Sequence, residues 1–180
     1  MCSVHSAKPV GGSELTLKHD ISPSTLDLPG HLRGEFEEFC KQLSGQGLRS
    51  ALRFLNARTT HRFTGIFRFD SDMLRSVALV DKWNPDVVVG DDVPLSQAYC
   101  AHLYSTGEPL QVAHGPTDPR VPWMADSPVV SYCGALICDE LGGRWGAVCH
   151  FDTASCDSRH SEMPLLIAAG SLIFGAVAGL

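Results

Sequence analysis

Apolar side chains in the first well-patterned stretch fall at Phe36, Phe39, Cys40 and Leu43, the i, i+3, i+4, i+7 spacing of one helix face. Gly45 and Gly47 interrupt the pattern, and Leu48, Ala51, Leu52 and Leu55 resume it up to Thr59 and Thr60, so two consecutive helices are expected. At Phe63 the period shortens to two. Phe63, Gly65, Phe67 and Phe69 alternate with Thr64, Ile66 and Arg68, which predicts a strand. Asp70, Ser71 and Asp72 then supply a polar turn into Met73 to Val80, the second arm of an antiparallel hairpin. Asp81 to Pro94 reads as a loop, with Asn84-Pro85 and Asp91-Asp92 as turn signals. Leu95, Tyr99 and Leu103 share a face of a short helix over Leu95 to Ser105, which Gly107 terminates and Pro109 stops. Leu110 to Val112 suits a brief strand, whereas four prolines between His114 and Pro128 keep that segment irregular. Val129 to Cys138 and Arg144 to Phe151 form a second strand pair across Gly142-Gly143. The last helix starts near Ser161, a good cap, with Pro164 in its first turn.

This order contains no βαβ alternation, so it predicts an α+β domain on an antiparallel sheet. Residues 1–32, rich in Ser, Pro, Gly and His, are expected as a flexible leader to one domain over residues 33–180. The chain has 44% hydrophobic residues, enough for a core, and a net charge of −6 without a basic stripe, which disfavours direct nucleic-acid binding. Seven cysteines, an odd number with no CxxC pair, fit a reducing compartment, and the N-terminal residues lack the features of a secretory signal. A cytoplasmic location follows as an expectation. Met163 to Leu180 carries no charge, but no basic anchor follows it. We read it as a buried or homodimer-forming helix, with Ser171, Gly175 and Gly179 four apart, in preference to a membrane span.

Four segments give the sequence its resemblance to the GAF domain family over residues 34–180. They are LRFLNARTTHRFTGIFRFD (52–70), PLSQAYCAHLYSTGEPLQV (94–112), the Asp118-Pro119-Arg120 step, and SYCGALICDELGGRWGAVCHFD (131–152). The resemblance implies a central six-stranded antiparallel sheet, terminal helices on one face that often form a dimer bundle, and a ligand pocket on the other, a GAF/PAS-like plan. It implies a sensor that binds a small molecule and catalyses nothing, and leaves the ligand to be argued from side chains.

Arg120 offers a fork of donors to an anion beside Asp118, and Trp123 a flat apolar wall. Cys100 and His102 flank the cavity expected beside Tyr99. Tyr132 and Cys149 lie on strands whose alternate residues face it, and Trp83 suits stacking on a planar ligand. These residues lead to the expectation of a small polar or anionic ligand held by Arg120 and His102, with Tyr99, Trp123 and Tyr132 as the apolar wall. A cyclic nucleotide stacked on Trp83 is a competitor without an identifiable base-reading set. No cofactor is identified. Cys149 and His150 point to opposite faces, against joint bilin attachment. The Cys133–Cys138 and Cys149–Cys156 intervals do not match a zinc site, and Val121 to Ser131 contains no histidine for haem. Two alternatives to the sensor remain. One is an enzyme similar to free methionine-(R)-sulfoxide reductase, using Cys100, Cys133 or Cys149, although Asp81 to Pro94 lacks that family's cysteines. The other is a structural dimerisation module.

Overall fold

The computed structural model describes residues 28–156 and 163–178. In chain order its elements are α1 (Arg33–Gln46), α2 (Leu48–Arg58), β1 (Phe63–Asp70), β2 (Met73–Asp81), β3 (Val93–Pro94), α3 (Cys100–Thr106), β4 (Leu110–Val112), β5 (Ser131–Cys138), β6 (Arg144–Asp152) and α4 (Met163–Val177). The proposed leader up to residue 27, and Ser161 as the cap of the last helix, lie outside the described residues. Leu28 and Leu32 are buried in the core ahead of α1.

The six strands make one sheet in the order β3-β2-β1-β6-β5-β4, antiparallel at every junction. Both hairpins read from the period-two pattern are present, and β1 joins them by pairing with β6, Gly65 opposite Cys149. The sixth strand lies in the stretch read as a loop. Val93 and Pro94 pair with Leu74 and Met73 at the sheet edge, where a proline costs no ladder bond on its outer side.

Phe36, Phe39, Leu52 and Leu55 from the first two helices, Ile66, Ile137 and Val148 from the sheet, and Leu165, Leu166 and Ile173 from α4 form one core, all almost fully buried. Burial of each such side chain contributes roughly 1.5–3 kcal/mol, which fixes the helices to this face of the sheet. The apolar α4 is consumed here. Among the described residues no helix is long and apolar enough to cross a membrane. Gly170 lets α4 approach the sheet, since a Cβ there would stand 2.5 Å from the Leu136 carbonyl oxygen, while Ser171 and Gly175 face outward.

The helix expected over Leu95 to Ser105 is broken. A single 3-10 turn at Leu95–Gln97 is followed by extended backbone at Ala98 (φ −120°, ψ 149°), and α3 starts only at Cys100. The Leu95 N–H is held by the Asp72 carbonyl of the first hairpin, and Trp123 Nε1 donates to the Ala98 carbonyl. Those tertiary bonds override the local helical spacing. Gly107 does end α3, at φ 82°, with its N–H on the Leu103 carbonyl.

Candidate functional site

A second apolar cluster lies on the other face of the sheet. Phe67, Ala147, Cys149 and Tyr132 rise from the strands, Leu74 from β2, and Tyr99, Cys100, Leu103, Val121 and Met124 come down from the connecting segments. The two layers do not close completely. Between them is a cavity of about 420 Å³, bounded at its rim by Gly90, Asp91, Val93, Gln97, Ser127 and Val129.

Two glycines make room for the rings that wall the cavity. Cys149 sits in β6 with Gly65 opposite it on β1 and Gly134 opposite it on β5, so no side chain stands on either side of the thiol. Neighbouring rings use that space. A Cβ at Gly65 would meet Phe67 Cε2 at 2.6 Å, and one at Gly134 would meet Tyr132 Cζ at 2.5 Å, so both rings lean along their strands over a glycine. Tyr99 stacks on Tyr132 with centroids 5.0 Å apart and planes at 13°, and its hydroxyl donates to the Val129 carbonyl at 3.0 Å. Phe151 packs against Phe63 at 5.0 Å and Phe67 at 6.0 Å and completes the aromatic wall.

Polar atoms on the floor are few and specific. Cys100 Sγ lies 3.2 Å from Tyr132 Oη, and its side chain is also hydrogen-bonded to Cys149. The bond with Cys149, reinforced by that with Tyr132, overcomes burial and holds the Cys100 thiol below its ordinary pKa. Burial pushes Cys149 and Tyr132 well above theirs, so both remain protonated donors.

Of the nine residues proposed from the sequence, Tyr99, Cys100, Tyr132 and Cys149 line this cavity. The other five lie elsewhere. Arg120 is spent on its neighbours: Nε donates to Asp118 Oδ1 at 3.0 Å, and Nη2 to Asp118 Oδ2 and the Gln111 carbonyl, each at 2.6 Å. Asp118 is held below the usual carboxylate range by the Arg120 bond. The pair stabilises a turn on the surface. Trp123 is 45% exposed and covers Ala98 from outside, and His102 is half-buried on a face of α3 that does not line the cavity. Trp83, 73% exposed, stacks on the Arg62 guanidinium at 4.2 Å, while Arg62 also covers Phe63 and pairs with Asp81. Sequence reasoning missed Phe63, Phe67, Leu74, Met124 and Phe151 as lining residues. The alternation of Phe63, Gly65 and Phe67 was the available signal, since it puts all three on one face.

At the level of sequence, no family model and no curated protein matches. Solved structures do. The chain superposes on the GAF domain of an Acinetobacter phosphoenolpyruvate-protein phosphotransferase with a TM-score of 0.65 at 12% identity, covering 84% of this chain and 96% of that one. The fold is that of a GAF domain. Two further structures place other chemistry on the same scaffold. JSC1_58120g3 with bound biliverdin IXa matches at TM-score 0.62 and 12% identity, over 80% of this chain and 97% of its own. The free methionine-R-sulfoxide reductase of Neisseria meningitidis in complex with its substrate matches at 0.59 and 13%, over 80% and 88%. At such identities the likeness establishes the GAF fold and no site residue.

Proposed function

We propose that this GAF fold is a sensor module that binds one small molecule in the cavity above Cys149 and catalyses nothing itself. The observation that carries the reading is the pre-formed space of about 420 Å³, walled by Phe67, Leu74, Tyr99, Met124, Tyr132 and Phe151. That volume and apolar lining, with a few convergent polar groups, suit a small organic ligand. The biliverdin and substrate named for the two structural neighbours support a small-molecule ligand on this scaffold.

The polar or anionic ligand expected from the sequence lacks its cation here, because Arg120 and His102 are not among the lining residues. A flat, mainly apolar molecule fits better, with one hydrogen-bonding group directed to the Tyr132 hydroxyl at the floor or to Gln97 and Asp91 at the rim. A thermal-shift screen of small aromatic and heterocyclic metabolites tests this. A ligand at a hundred times its Kd should stabilise the chain by about 2.7 kcal/mol, and Leu79→Trp, a larger side chain at a β2 position that also lines the cavity, should abolish the shift. A hit that stabilises Leu79→Trp equally well would remove the cavity from the reading.

A methionine sulfoxide reductase is the second reading, on the observation that Cys100 and Cys149 both line the cavity beside Tyr132. It requires turnover of free methionine sulfoxide with a thiol donor. Homodimerisation through the outward Ile167, Ser171 and Gly175 of α4 is part of the sensor proposal, and light scattering on the full chain tests it.

A further inference from the structure

Cys100 and Cys149 belong to different elements, the first residue of α3 and the middle of β6, and meet at the floor of the cavity. Binding a small apolar molecule requires neither thiol. Both are buried, at 2% and 1% exposure, yet both line a space that a small reagent can enter. The surroundings bring them together and also differentiate them. Cys100 Sγ lies 3.2 Å from Tyr132 Oη, and that hydroxyl stands over Gly134, the residue opposite Cys149, so both thiols adjoin one hydroxyl at the cavity floor. Hydrogen bonding from Cys149, then from Tyr132, favours the Cys100 thiolate, while burial keeps the proton on Cys149. Neighbouring cysteines do not share the arrangement: Cys133 packs into the helix-side core, and Cys138 is exposed at the end of β5.

We propose that Cys100 and Cys149 are an oxidant-reactive pair: a hydroperoxide entering the cavity oxidises Cys100 to a sulfenic acid, and Cys149 condenses with it to a disulfide. In the first step the Cys100 sulfur attacks the terminal oxygen of the hydroperoxide. The O–O bond breaks, an S–O bond forms, and the departing alkoxide leaves as the alcohol with the proton Cys100 gave up. In the second the Cys149 sulfur attacks the sulfenic sulfur, an S–S bond forms, and the hydroxyl leaves as water with the Cys149 proton. The two thiols lose two electrons together, and the peroxide bond gains them.

The reactivity follows from thiolate character combined with access, the two conditions that select one cysteine among several for oxidation. Tyr132 acts as a positioning residue: its ring is held by Tyr99 on one side and lies over the bare Gly134 on the other, and its hydroxyl steadies the Cys100 anion. A disulfide here would tie α3 to the sheet across the cavity floor. The inference uses the cavity but depends on no ligand.

The experiment treats the reduced full chain with stoichiometric cumene hydroperoxide, then digests it without reductant for mass spectrometry. The expected product is a peptide pair joined through Cys100 and Cys149, two hydrogens lighter than its parts and separated by dithiothreitol. In Cys149→Ser, dimedone should trap Cys100 as a sulfenic acid with no linkage. Tyr132→Phe should slow linkage about tenfold while the far-ultraviolet circular dichroism stays unchanged. Oxidation confined to Cys138 or Cys40, with Cys100 and Cys149 unlinked, overturns the proposal. If Cys149→Ser does not fold, the linked peptide of the unaltered chain decides alone. A chain that links these cysteines but binds no small molecule keeps this inference and loses the sensor reading.

Discussion

Tyr132 reaches Cys100 only because Gly134, two positions along the same face of β5, has no side chain. A methyl group there would stand 2.5 Å from Tyr132 Cζ, and the ring, already stacked on Tyr99, has little room to retreat. Gly134→Ala should therefore destabilise the fold by about 1–3 kcal/mol through overpacking, measured as a lower denaturation midpoint in urea. An unchanged midpoint would mean that the ring swings freely into the cavity. Arg120 makes the opposite case. Arg120 is exposed although its partner Asp118 is largely covered, so Arg120→Ala should cost about 1 kcal/mol in the same titration, and any ligand of the cavity should bind with unchanged affinity. Weaker binding to that variant would return Arg120 to the site.

Among the elements, α4 shows how two glycines five residues apart come to opposite roles. Gly170 faces the backbone of β5, where an added Cβ would stand 2.5 Å from a carbonyl oxygen that cannot rotate away, whereas Gly175 has nothing within 4 Å. Gly170→Ala should lower stability by about 1–3 kcal/mol, and Gly175→Ala, at dilutions where the chain is monomeric, should raise it by up to about 1 kcal/mol through helix propensity. Equal effects in thermal melts would contradict this packing of the helix, and a loss at Gly175 alone would point to a helix partner on its outer face. The spacing of small residues in the sequence led instead to Ser171, Gly175 and Gly179, because a four-residue period says that a stripe exists and not what it faces.

The rest of the fold follows the same division. Local signals carried both hairpins, α1, α2 and the turn at Gly107, since each is set by periods and turn residues within a few positions. Val93–Pro94 as an edge strand and the break at Ala98 were not legible, because both depend on bonds to distant residues, Leu74 and Trp123. The site divided likewise. Strand alternation said that only one of Tyr132 and Cys133, and one of Cys149 and His150, could face the cavity, while the sequence could not disclose that Arg120 would choose Asp118 and Gln111 as partners.

For the whole molecule, the buried polar groups on the helix side of the sheet set how stability depends on pH. His150 is 1% exposed, with Nδ1 2.8 Å from Thr64 Oγ1, itself the acceptor of Asn56 Nδ2 at 2.8 Å. His61 stacks near it with centroids 6.0 Å apart, and its Nδ1 lies 2.8 Å from Thr59 Oγ1. Among the described residues neither Nε2 has a hydrogen-bond partner. Burial, then the neighbouring His61 and Lys82, push His150 down to about 3; burial also pushes His61 down to about 4, against the attraction of Asp152. Both rings are thus neutral in the folded chain at pH values where the unfolded chain, with histidine near pKa 6.5, already binds protons. The unfolded state binds more protons across that window, so stability is complete above about pH 6.5 and is lost as the pH falls toward the folded values. Between pH 7 and 5 His150 alone should remove about 2 kcal/mol, with a similar share from His61. Urea titrations at half-unit pH intervals measure that slope. His150→Asn should lower stability at pH 7, because it disturbs the Thr64 bond, yet flatten the dependence between pH 7 and 5. An equally steep decline in the double variant His61→Asn, His150→Asn would assign the acid sensitivity to the carboxylates instead, among which Asp81, held low by Arg62, is the most buried.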